Sequence, residues 1–168
     1  MQNKGQLRLF LVAAASIIVL DQVTKLWVRN NLAPGEVVPQ TSFLNLVHHE
    51  NTGFVFGLLP GQVYLPIATA IAVLIIILLA RHYLSSKTAL SNVSLGLLFG
   101  GATGNLIDRL RLGYVVDFID FRLWDDFHWP AFNFGDATIV AGVILFIYSL
   151  YRMGLFARVY HHGRASKD

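Results

Sequence analysis

The sequence predicts an α-helical integral membrane protein, a four-transmembrane-helix bundle, to which the turn-punctuated runs of the first outer segment add a few small extracytoplasmic β-strands. Three observations predict it. First, 55% of the 168 residues are hydrophobic and only 14% are charged, whereas a soluble domain carries about a quarter charged residues. Second, four apolar stretches run through the chain: Leu9–Leu20, Val63–Ala80, Val93–Ile107 and Ala137–Tyr151. Third, the charges segregate between the two sides that such a bundle would have. The expected helices cover roughly 7–29, 63–83, 90–110 and 134–156, within one membrane-embedded domain of residues 1–168.

Lys4 and Arg8 before Leu9–Leu20 imitate a signal peptide, and Ala13-Ala-Ala-Ser16 supplies small residues. These lie in the middle of the apolar run, not after it, and Asp21-Gln-Val-Thr-Lys25 continues at helical spacing, so an uncleaved first helix is expected. Asp21 and Lys25 fit an i,i+4 ion pair, which makes charge tolerable beside hydrocarbon.

The segment from Asn30 to Gln62 is too long for a simple helical hairpin. Val37-Val38, Phe43-Leu-Asn-Leu-Val47 and Phe54-Val-Phe56 are separated by Pro34-Gly35, Pro39 and Gly53, which predicts a few small strands. Val63–Ala80 carries no charge in 18 residues, close to the roughly 20 that span a bilayer. The third helix contains Gly96, Gly100, Gly101 and Gly104; glycines four apart let another helix approach closely. Gly101, Gly104, Asn105 and Asp108 share one face by spacing, so a glycine face should end outward in a polar patch. Adjacent Asp108 and Arg109 point to different faces and need separate partners. Leu110 to Pro130 is aromatic and acidic, a composition suited to a loop lying on the membrane surface.

Four spans place Lys4, Arg8, Arg81, Lys87, Arg152, Arg158, Arg164 and Lys167 on one side with Asp168. The other side then has five basic residues (Lys25, Arg29, Arg109, Arg111, Arg122) against the remaining nine acids. The positive-inside rule puts both termini in the cytoplasm and the acidic segments outside. The net charge of +3 is thus a topology signal. No basic stripe interleaved with stacking aromatics is present, so nucleic acid is not an expected partner.

For chemistry, the sequence has no cysteine, no G-x-S-x-G elbow, no H-E-x-x-H motif and no metal-ligand spacing among its histidines. Neither metal nor cofactor is expected. Acids remain. At 1.5 Å per residue Asp21 lies roughly 20 Å beyond Arg8, Asp108 roughly 30 Å beyond Thr88, and Asp136 roughly 24 Å outward of Arg152. All three therefore sit in the outer third or at the outer boundary of a core about 30 Å thick. Asp117 and Asp136 flank one short connection, where two carboxylates can share a proton and activate water. Each also has a structural reading. Asn133 and Asp136 fit a variant capping box, and Asp117 read alone is a solvated loop acid like Asp120, Asp125 and Asp126.

These blocks together resemble the signal peptidase II family, the bacterial lipoprotein signal peptidases. The resemblance runs through Asp21-Gln-Val-Thr-Lys25, Asn51-Thr-Gly53, Gly100-Gly-Ala-Thr-Gly-Asn105-Leu-Ile-Asp108-Arg109, Gly113-Tyr-Val-Val-Asp117-Phe-Ile-Asp120-Phe and Phe132-Asn-Phe-Gly-Asp136. It implies a membrane aspartyl endopeptidase with Asp117 and Asp136 as catalytic pair. Asn51, Gly53, Asn105, Asp108, Arg109, Asn133 and Asp21 are then supporting positions. It further implies a sheet cradle built largely from the first outer segment, with a mobile flap from the second. The implied substrate is a diacylglyceryl-modified prolipoprotein, cleaved just before its lipidated cysteine at the outer leaflet of the bacterial inner membrane. Membrane lipids are implied as surroundings, and no obligate protein partner is. Two departures stand out: Phe54 and Val55 where the family usually has alanines, and Gly135 where it usually has alanine, a change expected to loosen the start of the fourth helix. Two rival readings remain at this point. A proton- or cation-coupled carrier would want acids near the midplane and inverted repeats. A non-catalytic assembly factor would use the glycine face and tolerate isosteric change at Asp117 and Asp136.

Overall fold

A computed structural model describes residues 4–39, 43–53, 64–83, 88–124 and 127–154. Phe54, Val55, Asp125, Asp126 and the basic residues beyond 154 lie outside the described residues. Among the described residues, four long helices and four strands follow in the order α1 (Lys4–Asn31), β1 (Val37–Val38), β2 (Leu44–Asn51), α2 (Tyr64–Tyr83), α3 (Ala89–Leu112), β3 (Val115–Trp124), β4 (Phe127–Phe132) and α4 (Phe134–Arg152).

Among the described residues three helices, α1, α2 and α4, are long and apolar enough to cross a membrane. Their outward residues, such as Val19, Ile76 and Ile144, remain exposed, as a lipid-facing surface requires. α3 falls outside that set, although its 24 residues extend about 36 Å. Its position gives the reason. α3 packs against α1, α2 and α4, and half of its length is buried, mostly by polar or small residues that include Ser91, Asn92, Ser94, Asn105 and Asp108. A helix wrapped by other helices has no need of an apolar exterior.

Glycine spacing sets how closely α3 is wrapped. A Cβ at Gly96 would lie 2.7 Å from the Phe10 carbonyl oxygen, and one at Gly100 2.8 Å from that of Ala14. A Cβ at Gly104 would collide with the Asp21 carboxylate. This four-residue row is therefore the α1 contact. Gly101 faces the other way, against the Gly135 carbonyl and Thr138 of α4. The single face expected from Gly101, Gly104, Asn105 and Asp108 is thus a seam shared by two neighbours.

The sheet is antiparallel in the order β1-β2-β3-β4. Val37 pairs with Val47, Asn51 with Val115 and Ile119 with Phe132. Here the sequence expectation needs correcting: the segment after α3 is half of the sheet, not a surface loop. Gly113 makes the join, adopting φ +84° at the C-terminus of α3 and donating its N–H to the Arg109 carbonyl. A left-handed residue there is accessible to glycine without strain. β3 then packs on the C-terminal end of α1 and the N-terminal end of α4, where Val28, Val116 and Phe118 form a buried cluster with Phe134 against it.

Candidate active site

Asp117 lies early in β3, opposite His49 of β2, with only 2% of its surface exposed. Both oxygens accept amide hydrogen bonds: Oδ1 from Asn133 Nδ2 at 2.7 Å and Oδ2 from Asn51 Nδ2 at 3.0 Å. Burial, then the negative charge of Asp136, push its pKa up from 3.8 to about 7, against the lowering effect of the two amides. The solvated-acid reading of Asp117 is therefore overturned. It fails for Asp120 as well. That side chain is buried and accepts from Asn45 Nδ2 at 3.0 Å across the β2–β3 pair. Strand alternation turns it away from Ile119 and Phe121.

Asp136 occupies the first turn of α4 and completes a capping box with Asn133. The Asp136 N–H donates to Asn133 Oδ1 at 3.0 Å, and the Asn133 N–H donates to Asp136 Oδ2 at 3.2 Å. The structural reading of Asp136 is thus correct, and it does not exhaust the residue. Oδ1 of the same carboxylate accepts from Asn105 Nδ2 at 2.8 Å, and the side chain is only half-buried. One dry acid and one partly open acid are therefore joined through Asn133, which is fully buried. Gly135 does not loosen this start. Its N–H donates to Asp21 Oδ1 at 2.9 Å, and a Cβ there would meet Asn133 Oδ1 at 2.9 Å.

A second tier holds the first. Lys25 is buried between Asp21 at 2.8 Å and Asp108 at 3.0 Å, and donates to Asn105 Oδ1 at 2.8 Å. Asp108 also accepts from Gln22 Nε2 at 2.9 Å and from the Val116 N–H at 3.2 Å, which ties α1 and α3 to β3. Arg109 turns the other way, as adjacency demands. It reaches the carbonyls of Asn105 at 3.3 Å and Gly53 at 3.4 Å, and the Gly53 N–H donates to Asn51 Oδ1 at 3.0 Å. All nine residues singled out from the sequence thus meet in one network drawn from α1, β2, α3, β3 and α4. Two members, Lys25 and Gln22, went unassigned to the site. Lys25 was visible only as the ion-pair partner of Asp21, and nothing in the sequence aims either side chain at α3.

A dry carboxylate tied to a second one at a helix start suits acid–base chemistry on a peptide bond. Comparison with known proteins decides the family. Residues 13–152 match the model for signal peptidase (SPase) II. The chain belongs to the signal peptidase II family. It is 44% identical over 142 residues to the lipoprotein signal peptidase of Moorella thermoacetica, covering 84% of this chain and 91% of the relative. The lipoprotein signal peptidase of Halothermothrix orenii is 41% identical over 137 residues, 81% of this chain and 90% of the relative. Two solved structures described as a bacterial membrane enzyme, at 1.9 Å and 2.3 Å, are each 33% identical and superpose with TM-scores of 0.74 and 0.72. They match 84% and 85% of this chain, and 91% and 87% of their own lengths. As a signal peptidase II family member with three membrane-length helices, the chain is an integral membrane protein. The matched span contains the whole network from Asp21 to Asp136.

Proposed function

We propose that this chain is an aspartic-type endopeptidase that removes the signal peptide from diacylglyceryl-modified prolipoproteins, cutting just before the lipidated cysteine. One observation carries the reading: Asp117, dry and shifted to about 7, is bonded through Asn133 to the partly open Asp136. Asp117 is the member that holds the proton, and Asp136 is the base. Asp136 takes a proton from water while the water oxygen adds to the scissile carbonyl carbon, and Asp117 gives its proton to the carbonyl oxygen. The tetrahedral intermediate collapses in reverse sense. Asp136 returns its proton to the leaving cysteine nitrogen, the C–N bond breaks, and a hydroxyl proton goes back to Asp117. Asn51, Asn105 and Asn133 hold the carboxylates, while Arg109 ties the Asn105 carbonyl to that of Gly53. No cofactor enters.

The charge bias supports four spans, with α3 as the fourth, and both termini cytoplasmic. The sheet and the acid pair then face the outer leaflet of the inner membrane, where a lipid anchor holds the scissile bond at the interface. Residues 1–168 act as one membrane-embedded unit with membrane lipids as its surroundings. The test uses purified protein in detergent with a diacylated precursor peptide and its unlipidated twin. Asp117→Asn and Asp136→Asn should each abolish cleavage while staying folded. Full activity in either sinks the pair, and equal cleavage of the unlipidated twin sinks the substrate.

A further inference from the structure

A lysine ammonium has three hydrogens to donate and no lone pair to accept with. Lys25 places one each on Asp21 Oδ2 at 2.8 Å, Asp108 Oδ2 at 3.0 Å and Asn105 Oδ1 at 2.8 Å. An asparagine amide is two-faced, and its orientation follows from its partners. Because Lys25 can only donate, Asn105 must turn its oxygen toward α1. Its NH2 is then left pointing at Asp136 Oδ1, 2.8 Å away. The Asn133 NH2 approaches the same Asn105 oxygen at 3.1 Å. Its two hydrogens face three acceptors, however, and the nearest is Asp117 Oδ1 at 2.7 Å, with the Val116 carbonyl at 3.4 Å. The ammonium is the firmer hold on Asn105.

We propose that Lys25 is a positioning residue for the carboxylate pair: its buried ammonium fixes the Asn105 amide and so aims the Asn105 NH2 at Asp136. The inference rests on the Asp117/Asp136 reading and adds α1 to the reaction machinery. Neutralising Asp21 and Asp108 is the merely structural account of the same lysine. The two accounts differ in what Lys25 does to turnover. An orienting role acts on the chemical step through Asn105, whereas a neutralising role acts on the folded fraction.

Removing the ammonium alone strands two buried carboxylates, so the main variant is Lys25→Met/Asp108→Asn, which keeps the net charge of the trio, compared with Asp108→Asn alone. Lys25→Gln, which can still donate, is the second variant. Cleavage of the diacylated peptide is measured as kcat and KM per folded protein, with thermal unfolding in detergent alongside. The double variant should lose about ten- to a hundredfold in kcat, the size of one hydrogen bond to a charged group, with KM within about twofold. Lys25→Gln should fall between it and wild type. In an Asn105→Ala background the same Lys25 change should add less than about twofold, because both act on one bond. Unchanged kcat in the double variant relative to Asp108→Asn, with lowered thermal stability, overturns the proposal, as does full multiplication of the two losses. Asp117→Asn and Asp136→Asn in the same assay separate the layers. If either still cleaves, the pair itself is wrong; if both are dead, the Lys25 result speaks for Lys25.

Discussion

Two buried polar clusters occupy opposite ends of the α3–α4 pair. At the start of α3, Thr88 caps the helix, and Ser91 bonds to both Thr88 and Ser149 of α4. Asn92 lies beside them, donating to Gln6 of α1 at 3.1 Å. At the far end sit Asp117, Asp136, Asn133 and Asn105 over the Lys25 trio. Both clusters join the same helices, and Ser91, Ser149, Asn133 and Asp117 are all within 2% of full burial. The difference is chemical. Hydroxyls and amides bond one another without any change of charge, so burial merely locks them. A carboxylate resists burial, and at Asp117 that resistance becomes a proton held to about pH 7. Buried polarity is therefore not itself a mark of function; what sets this end apart is a buried carboxylate with a raised pKa beside a partly open one.

The sharpest break in the comparison comes from neutralising the far end. Asp136→Asn keeps the shape of the residue and removes the carboxylate proposed as the base. Cleavage of the diacylated peptide should fall by about a thousandfold or more, toward what binding and oxyanion contacts alone sustain, with stability lowered by no more than the roughly 1–2 kcal/mol of one lost acceptor. Cleavage within tenfold of wild type would put Asp136 in the same class as Ser149.

Packing between the clusters comes next. A Cβ at Gly101 would overlap the Gly135 carbonyl, a backbone atom, and lie 2.7 Å from Thr138 Oγ1. Gly101→Ala should destabilise by about 1–3 kcal/mol, as overpacking does. It should also lower cleavage, since the α4 turn it displaces carries Asp136. A variant as stable and active as wild type would show that the seam has slack.

These two cases also mark what the sequence made legible. Helices followed from apolar runs and glycine spacing, and the capping box of α4 from Asn133-x-x-Asp136. The ion pair within α1 followed from Asp21 and Lys25 at i,i+4. The strand bearing Asp117 did not. Val115-Val-Asp-Phe-Ile-Asp-Phe121 sets acids three apart, which breaks the two-residue alternation of a half-exposed strand. β3 is buried on both faces where it begins, and its pairing with β2 shifts register between Leu46 and His49. An irregular strand of acids and aromatics therefore reads as a surface loop. Nor does any local pattern reveal that Asn105 reaches α1, α4 and Asn133 at once, because each of those bonds crosses between elements.

A titration compares the ends more finely. The folded-state pKa of Asp117 is raised, so the native protein binds a proton that the unfolded chain has lost between about pH 4 and 7. Stability from this group is full below pH 4 and is lost as pH rises through 7. Asp117→Asn keeps a neutral side chain at every pH. Its unfolding temperature should therefore fall less than that of wild type between pH 4 and pH 8, so that the gap between the two shifts in its favour as pH rises. A gap independent of pH would mean that Asp117 is no more strained by burial than the hydroxyls at the other end.

The smallest effect belongs to Ser149→Ala. Thr88 Oγ1 lies 2.7 Å from Ser91 Oγ, so loss of the Ser149 hydroxyl leaves Ser91 with a partner and orphans nothing. Interhelical hydrogen bonds inside membrane bundles average about 0.6 kcal/mol, and a loss of that order should lower the unfolding temperature by a degree or two. Cleavage should stay within about twofold of wild type, because no charge at this end answers to one at the other. A larger loss of turnover at unchanged stability would mean that the two ends are coupled along α4, and the contrast between a locking cluster and a reacting one would then have to be redrawn as a single device.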